Sequence, residues 1–194
     1  MAGNRFALKG STSDAQEGLL SSQYRALTIG LITLITIAAF DQTAVMSVMP
    51  TIAASLGAAG GTAYTLTFTA ATAASIFAMV AGGMLADSRG AMRTLRGSGL
   101  LFVAGLVLAV VTPTMPIFLV ARVFQGLGGG AIVVAIYAII AVIYPSQLQT
   151  KMFAALAGAW VIPTLIGPGV AGIITESLSW HWLFGISAAA SIIV

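Results

Sequence analysis

Long apolar stretches separated by short polar ones recur along the chain. Each stretch is close to the ~20 residues with which a helix crosses a bilayer. None of them alternates apolar and polar residues with period two, as a membrane β-barrel strand does, so the pattern predicts helices. Six segments are predicted, over about residues 25–49, 62–86, 96–113, 116–144, 152–175 and 181–194. The sixth is the shortest, and we predict a truncated span there.

The residues before the first segment differ from the rest of the chain. Residues 1–23 are rich in Ser, Gly and Ala, carry scattered charges and contain no long apolar run. We predict a cytoplasmic amino-terminal tail over 1–23 and a transmembrane bundle over 24–194. A cleaved signal peptide is the alternative for the first segment. That run begins only after Arg25 and is longer than the ~15 residues of a signal-peptide core, which favours a retained helix.

Composition excludes several classes of protein. Hydrophobic residues make up 59% of the chain and charged residues 7%, and the mean hydropathy is +1.04, which is incompatible with a soluble globular surface. The net charge of +3 is spread over short clusters between apolar runs, so no basic surface for nucleic acid is predicted. With no cysteine and one histidine, His181, neither a disulfide framework nor a metal site is expected. No constellation of residues indicates an enzyme.

Basic residues define the orientation, because Lys and Arg near helix ends are retained in the cytoplasm. The connections around 56–61, 112–116 and 177–181 contain neither residue type. The sequence therefore predicts a multi-pass protein of the cell membrane with a cytoplasmic amino terminus. The basic residues outside the segment interiors all fall on the predicted cytoplasmic side: Arg5, Lys9, Arg25, Arg89, Arg93, Arg96 and Lys151.

Two charged residues are predicted to lie inside the membrane. At ~1.5 Å per residue, Asp41 lies ~13 Å below the outer end of segment one, and Arg122 lies ~9 Å below the outer end of segment four. Each ionisable group in hydrocarbon costs at least ~2.5 kcal/mol, so two at similar depth are expected to face a shared interior and compensate one another. The alternatives are that each reaches an interface or that they form a purely structural pair.

Four motifs follow one another between Phe40 and Trp182, at residues 40–50, 83–90, 121–128 and 167–172. In content and order they resemble motifs of the major facilitator superfamily. Residues 40–50 are similar to the Asp-x-Thr and terminal Pro signature of drug:proton antiporters, with Met46 where Asn is usual. Residues 83–90 resemble the superfamily's cytoplasmic loop motif, with Ser88 and Ala91 in place of basic residues. The resemblance implies a gate on the inward side, carried by Gly83, Asp87, Arg89, Gly90 and Arg93.

The other two motifs lie in segments four and five. Residues 121–128 are similar to the family's Arg-x-x-Gln-Gly motif, here Arg122, Gln125 and Gly126, whose arginine is implicated in proton handling. The resemblance therefore implies proton coupling through Asp41 and Arg122. Residues 167–172 resemble the Gly-Pro-x-x-Gly-Gly motif associated with exporters. Its residues here are Gly167, Pro168 and Gly172, with Pro163 where a further glycine is usual and Ala171 in place of a glycine.

Elementary packing rules make predictions for the same residues. Gly126 and Gly130 form a small-x-x-x-small face that lets a neighbouring helix approach closely. Pro163 and Pro168 each remove a backbone donor, so segment five is expected to kink or loosen. Ordinary membrane packing and a tolerated kink would account for these residues equally well.

Energy coupling through a nucleotide is not predicted. Residues 126–131 fit a G-x-G-x-x-A dinucleotide pattern, but they lie within a membrane helix and lack the preceding strand that such a site needs. No G-x-x-x-x-G-K-[ST] sequence occurs in the chain. An ion gradient is the remaining energy source, and the resemblance implies that the ion is the proton, with no bound cofactor.

The expected fold is an all-α integral membrane bundle, the six-helix amino-terminal half of a major facilitator fold with its sixth helix truncated. That resemblance implies three-plus-three inverted repeats and a substrate site between two halves. The leading functional prediction is proton-coupled export of small hydrophobic or cationic compounds, as in multidrug efflux. The alternatives are a sugar or metabolite facilitator or importer, and a non-transporting membrane fragment. The expected partners are a small-molecule substrate, protons, membrane lipid and the missing carboxy-terminal half.

Overall fold

The computed structural model describes residues 18–58 and 61–193, and these ranges are helical apart from turns and short connections. The predicted all-α fold is confirmed for this part of the chain. Residues 1–17 of the tail predicted over 1–23 lie outside the described residues. The helices are α1 (Arg25–Ser55), α2 (Gly61–Arg89), α3 (Ala91–Val110), α4 (Met115–Ile143), α5 (Ser146–Ser177) and α6 (His181–Ile193).

Helices α1 and α5 each extend six residues beyond one end of the apolar segment that predicts them, and α3 begins five residues before its own segment. Helix α1 continues through Pro50 to Ser55 rather than ending at 49, because a proline removes one backbone donor without forcing the whole ladder to stop. The helix ends where Gly57 adopts a φ of 68°. Helix α5 begins at Ser146 rather than at 152, since its first residues are polar but compatible with a helix.

Length and hydropathy allow five of the described helices, α1 to α5, to cross a membrane. Helix α6 is also apolar but has only 13 residues. Much of the surface of the bundle is apolar, with side chains such as Leu100, Val142 and Leu165 largely exposed. An apolar exterior of this kind is suited to lipid or to further membrane helices.

Part of the helix packing agrees with the two repeats, α1–α3 and α4–α6, that the resemblance predicts. Helix α1 packs mainly on α5, α2 packs mainly on α4, and α3 contacts α6. If α1 corresponds to α4, α2 to α5 and α3 to α6, the α1–α5 contact corresponds to the α4–α2 contact. Helix α3 also packs extensively on α4, and the corresponding contact of α6 with α1 is much smaller.

Helix α1 is held beside α4 near both ends of the bundle. At one end the hydroxyl groups of Thr28 and Tyr144 are 2.8 Å apart, and the ring of Tyr144 stacks on Tyr24. At the other end Trp180 packs on Phe118, and its Nε1 donates to the hydroxyl of Ser55 at 3.0 Å. These contacts fix the stretch of α1 and α4 that lies between them.

Helices α2 and α3 are joined by the single residue Gly90, whose φ is 92°. Residues that carry a Cβ atom rarely adopt a positive φ of this size, which explains the glycine at this position. The turn reverses the chain within one residue. The loop motif and the basic residues Arg89 and Arg93 therefore lie together at one end of the bundle.

Candidate functional site

Asp41 lies in the middle of α1 and is only 4% exposed. The buried face of the neighbouring turns of α1 is apolar and includes Ala38, Ala44 and Val45. The helix therefore carries a carboxyl group into an otherwise apolar interior. A charge in such an environment needs a partner of opposite sign.

Arg122 of α4 supplies that partner. Its Nη1 donates a hydrogen bond to Oδ2 of Asp41 at 2.8 Å, and the arginine side chain is 6% exposed. This confirms the prediction that the two charges face a shared interior and compensate one another. Water is excluded from both groups, so the pair is tightly coupled: removing one charge would leave the other buried without compensation.

Gln125, one helical turn after Arg122, forms the third member of this site. Its Oε1 accepts a hydrogen bond from the same Nη1 of Arg122, and the residue is 2% exposed. Gln125 belongs to the predicted Arg-x-x-Gln-Gly motif, but its contact with Arg122 is not among the predictions from the sequence. The feature of the sequence that indicates this contact is the i, i+3 spacing of Arg122 and Gln125, which places both side chains on one helix face.

The glycines of α4 bring this site close to its neighbours. A Cβ atom added at Gly126 or Gly130 would overlap the backbone carbonyl oxygen of Ala71 or Ser75, respectively, on α2. A Cβ at Gly128 would approach the backbone nitrogen of Phe102 on α3 to 2.5 Å. The predicted small-residue face is therefore confirmed as a contact surface, and it places α2 and α3 around Arg122 and Gln125.

A narrow cavity of about 50 Å³ adjoins the ion pair. Besides Asp41, Arg122 and Gln125, its lining combines polar residues from α1 and α2 with aromatic residues from α2, α3 and α5. These residues are Gln42, Thr72 and Ser75, and Phe68, Phe102 and Trp160. The cavity has room for about one or two water molecules or one small functional group.

Two buried nitrogens beside the ion pair lack an acceptor. Nε of Arg122 and Nε2 of Gln125 have no hydrogen-bond partner among the described residues. Buried donors in folded proteins are nearly always paired. Both atoms are enclosed by protein, so a water-sized group does not reach them from the cavity in this conformation.

The cytoplasmic loop motif is arranged differently. Asp87, Arg89, Gly90 and Arg93 are exposed, whereas Gly83 is half-buried against Val134. Within the described residues, no ion pair joins Asp87 to an arginine, since the one ion pair there is Asp41–Arg122. The structure brings the motif residues together at one end of the bundle, and their gating role stays a prediction.

The exporter-type motif of α5 is divided between a packed and an exposed part. Gly167 is buried, and an added Cβ would lie 2.7 Å from Oγ1 of Thr43 on α1. Pro163 is also buried, and its carbonyl oxygen is 3.4 Å from the same hydroxyl. In contrast Pro168 is exposed, and no atom lies within 4 Å of a Cβ added at Gly172.

A bundle of apolar helices with an ion pair beside an internal cavity is the arrangement expected of a membrane transport protein. The chain matches the model of the Major Facilitator Superfamily over residues 31–194. It therefore belongs to this superfamily, a family of transporters, and is a multi-pass membrane protein.

Individual relatives agree with this assignment. The chain is 34% identical over 171 residues to an MFS-type transporter of Mycobacterium tuberculosis, covering 88% of this chain and 24% of that protein. It is 32% identical over 165 residues to multidrug resistance protein 3 of Bacillus subtilis, covering 83% of this chain and 31% of that protein. It is 27% identical over 173 residues to the efflux pump dotC of Dothistroma septosporum, covering 89% of this chain and 30% of that protein. The chain thus spans under a third of the length of these relatives.

Proposed function

We propose that this chain is the amino-terminal half of a proton-coupled exporter of small hydrophobic or cationic compounds. The observation that carries the proposal is the buried ion pair between Asp41 and Arg122 beside an internal cavity. Export rather than import is supported by the Gly167–Pro168 motif and by relatives that are named for multidrug resistance and efflux. Transport also requires a second six-helix half, against which this half can rock.

The coupling step follows from the charges of the pair. With Asp41 ionised, the pair is neutral and the carboxylate holds Arg122 at the α1–α4 contact. Protonation of Asp41 removes the negative charge and leaves a guanidinium group in a site of low dielectric, which is unfavourable. The protonated state therefore favours a conformation in which Arg122 is hydrated or reaches another partner. Proton occupancy and conformation are linked in this way.

Gln125 limits how far Arg122 can move in this step. Its Oε1 accepts from the same Nη1 that contacts Asp41, and both residues are on α4. When Asp41 is protonated, Arg122 keeps this second hydrogen bond. We therefore expect Asp41 and α1, rather than the arginine side chain alone, to change position relative to α4.

Transport in proteoliposomes tests this proposal. The complete transporter containing Asp41→Asn should lose uphill export of tetraphenylphosphonium driven by a pH gradient at zero membrane potential, falling to the level of empty liposomes. Arg122→Ala should shift the pH profile to higher pH, because loss of the guanidinium removes what stabilises the carboxylate. Glu176→Gln is the matched control, since Glu176 is exposed on α5 and does not line the cavity. Full uphill export by Asp41→Asn with an unchanged pH profile would make Asp41 a structural residue.

We also propose a cell-membrane location with the amino terminus and the α2–α3 turn in the cytoplasm, because the basic residues cluster there. The chain has no cysteine, so single cysteines report topology directly. Ser88→Cys, at an exposed position before the turn, should be protected from an impermeant maleimide in intact cells. Thr114→Cys, exposed between α3 and α4 at the other end of the bundle, should react. The opposite labelling pattern would reverse the orientation.

A further inference from the structure

A surface groove of about 470 Å³ runs along the contact between α2 and α3, with α4 at its base. On α2 it extends from Phe77 to Arg89, and on α3 it extends from Leu101 to Arg93. At ~1.5 Å per residue the wall formed by α2 is ~18 Å long. One leaflet is about half of the ~30 Å hydrocarbon core of a bilayer. The groove therefore has the length of an alkyl chain that crosses one leaflet.

The walls of the groove are suited to such a chain. The groove is deep where small residues line it: Gly82 of α2 lies directly against Ala131 of α4, and no atom lies within 4 Å of a Cβ added at Gly97 of α3. Thr94 and Ser98 also line the groove, but each hydroxyl donates to the backbone carbonyl four residues earlier. The groove therefore presents alkyl and aromatic surface below its basic end, which favours an alkyl chain over a polar solute.

Positive charge is confined to one end of the groove. Arg89 and Arg93 both line it there and are exposed, and neither forms an ion pair within the described residues. Asp87 lies two positions before Arg89, about 200° around α2, and is not part of the lining. Asp87 therefore stays available to a second half of the transporter. The basic end of the groove is complementary to an anion.

We propose that this groove binds one anionic phospholipid, with its phosphate between Arg89 and Arg93 and one acyl chain extended towards Phe77. Basic pockets between membrane helices select anionic headgroups, and each arginine near the membrane surface strengthens binding roughly fivefold. The chain adds apolar contacts along the walls. This inference goes beyond the proposed export and depends on neither its cargo nor its proton coupling.

Native mass spectrometry of the complete purified transporter tests the headgroup. Delipidated protein in detergent is titrated with dioleoyl phosphatidylglycerol or with dioleoyl phosphatidylcholine, which has the same chains and no net charge. We expect the wild type to bind its first phosphatidylglycerol roughly tenfold to thirtyfold more tightly. Arg89→Gln and Arg93→Gln should each reduce this preference about fivefold. Arg96→Gln is the matched control, because Arg96 is also exposed on α3 but lines a different groove, beside α1.

Gly97→Leu tests the apolar part of the groove. A leucine there should fill the groove without displacing a neighbour, since no atom lies within 4 Å of an added Cβ, and the tightly bound phosphatidylglycerol should be lost. Gly99→Leu is its control: a Cβ added at Gly99 also meets no atom within 4 Å, but Gly99 lines the groove that contains Arg96. Glycerol phosphate, which carries the charge without the chains, should not displace the lipid from the wild type.

Four results would overturn the proposal. Equal losses of preference in Arg93→Gln and Arg96→Gln would show attraction to the whole basic end rather than to this groove. Unchanged binding by Gly97→Leu would place the lipid elsewhere. A much lower unfolding temperature of Gly97→Leu than of Gly99→Leu in lipid-free detergent would show that protein fills the groove. Displacement of the lipid by glycerol phosphate would assign the arginines to a free phosphate.

Discussion

Helices α4 and α5 both carry glycine-containing motifs, but they use them in opposite ways. In α4, a Cβ atom added at Gly126, Gly128 or Gly130 would overlap backbone atoms of α2 or α3. In α5, Gly167 contacts Thr43, whereas an added Cβ at Gly169 or Gly172 would meet no atom within 4 Å. The glycines of the α4 motif are therefore packed against helices of this half of the transporter. Gly169 and Gly172 of α5 instead leave a surface on which another helix can pack closely.

The same contrast separates the two predicted groups of charges. Asp41 and Arg122 are buried and paired across α1 and α4. Asp87 and the basic residues that follow it are exposed, and within the described ranges Asp87 has no ion-pair partner. The Asp41–Arg122 pair therefore has both of its members within this chain. The α2–α3 turn and the exposed face of α5 are where we expect contacts with a second half.

The largest effect that would test this comparison is expected at Gly130. Alanine normally stabilises an exposed helix position by ~1 kcal/mol relative to glycine. At Gly130, however, the added Cβ would overlap the carbonyl oxygen of Ser75, and overpacking of this kind costs about 1–3 kcal/mol or more. Gly130→Ala should therefore lower the unfolding temperature of the chain in detergent. An unchanged or higher temperature would mean that α2 and α4 are not in close contact.

A smaller effect of opposite sign is expected at Gly172. No atom lies within 4 Å of a Cβ added there, so Gly172→Ala should raise the stability of this half by up to ~1 kcal/mol through helix propensity alone. The same substitution in the complete transporter should lower transport if a second half packs on this face. Destabilisation of this half by itself would show that the face is covered from within the chain.

Hydrophobic pattern alone predicts much of this fold. Apolar runs locate all six described helices, of which α1 to α5 are long enough to span a membrane. Two isolated charges at similar predicted depth also predict the Asp41–Arg122 pair, because unpaired charges are too costly in hydrocarbon. Helix ends are less predictable. Pro50 marks an end in sequence but lies inside α1, since the helix depends on the surrounding hydrogen bonds and not on one donor.

The finer arrangement of the site depends on tertiary contacts that sequence spacing does not determine. Spacing shows that Gln125 shares a helix face with Arg122, but not that its oxygen contacts the same nitrogen as Asp41. Composition likewise does not distinguish a packed glycine such as Gly130 from an open one such as Gly172. That distinction requires the positions of the neighbouring helices.

Proton release on ligand binding tests the central claim most directly. Tetraphenylphosphonium is added to the purified complete transporter in weakly buffered solution, and the pH change is recorded across a range of starting pH values. If ligand and proton compete through Asp41, the wild type and Glu176→Gln should release at most about one proton per bound molecule, with a maximum at one pH. Asp41→Asn should bind the probe without releasing a proton. Equal release by Asp41→Asn and the wild type would contradict the assignment of Asp41 as the coupling group.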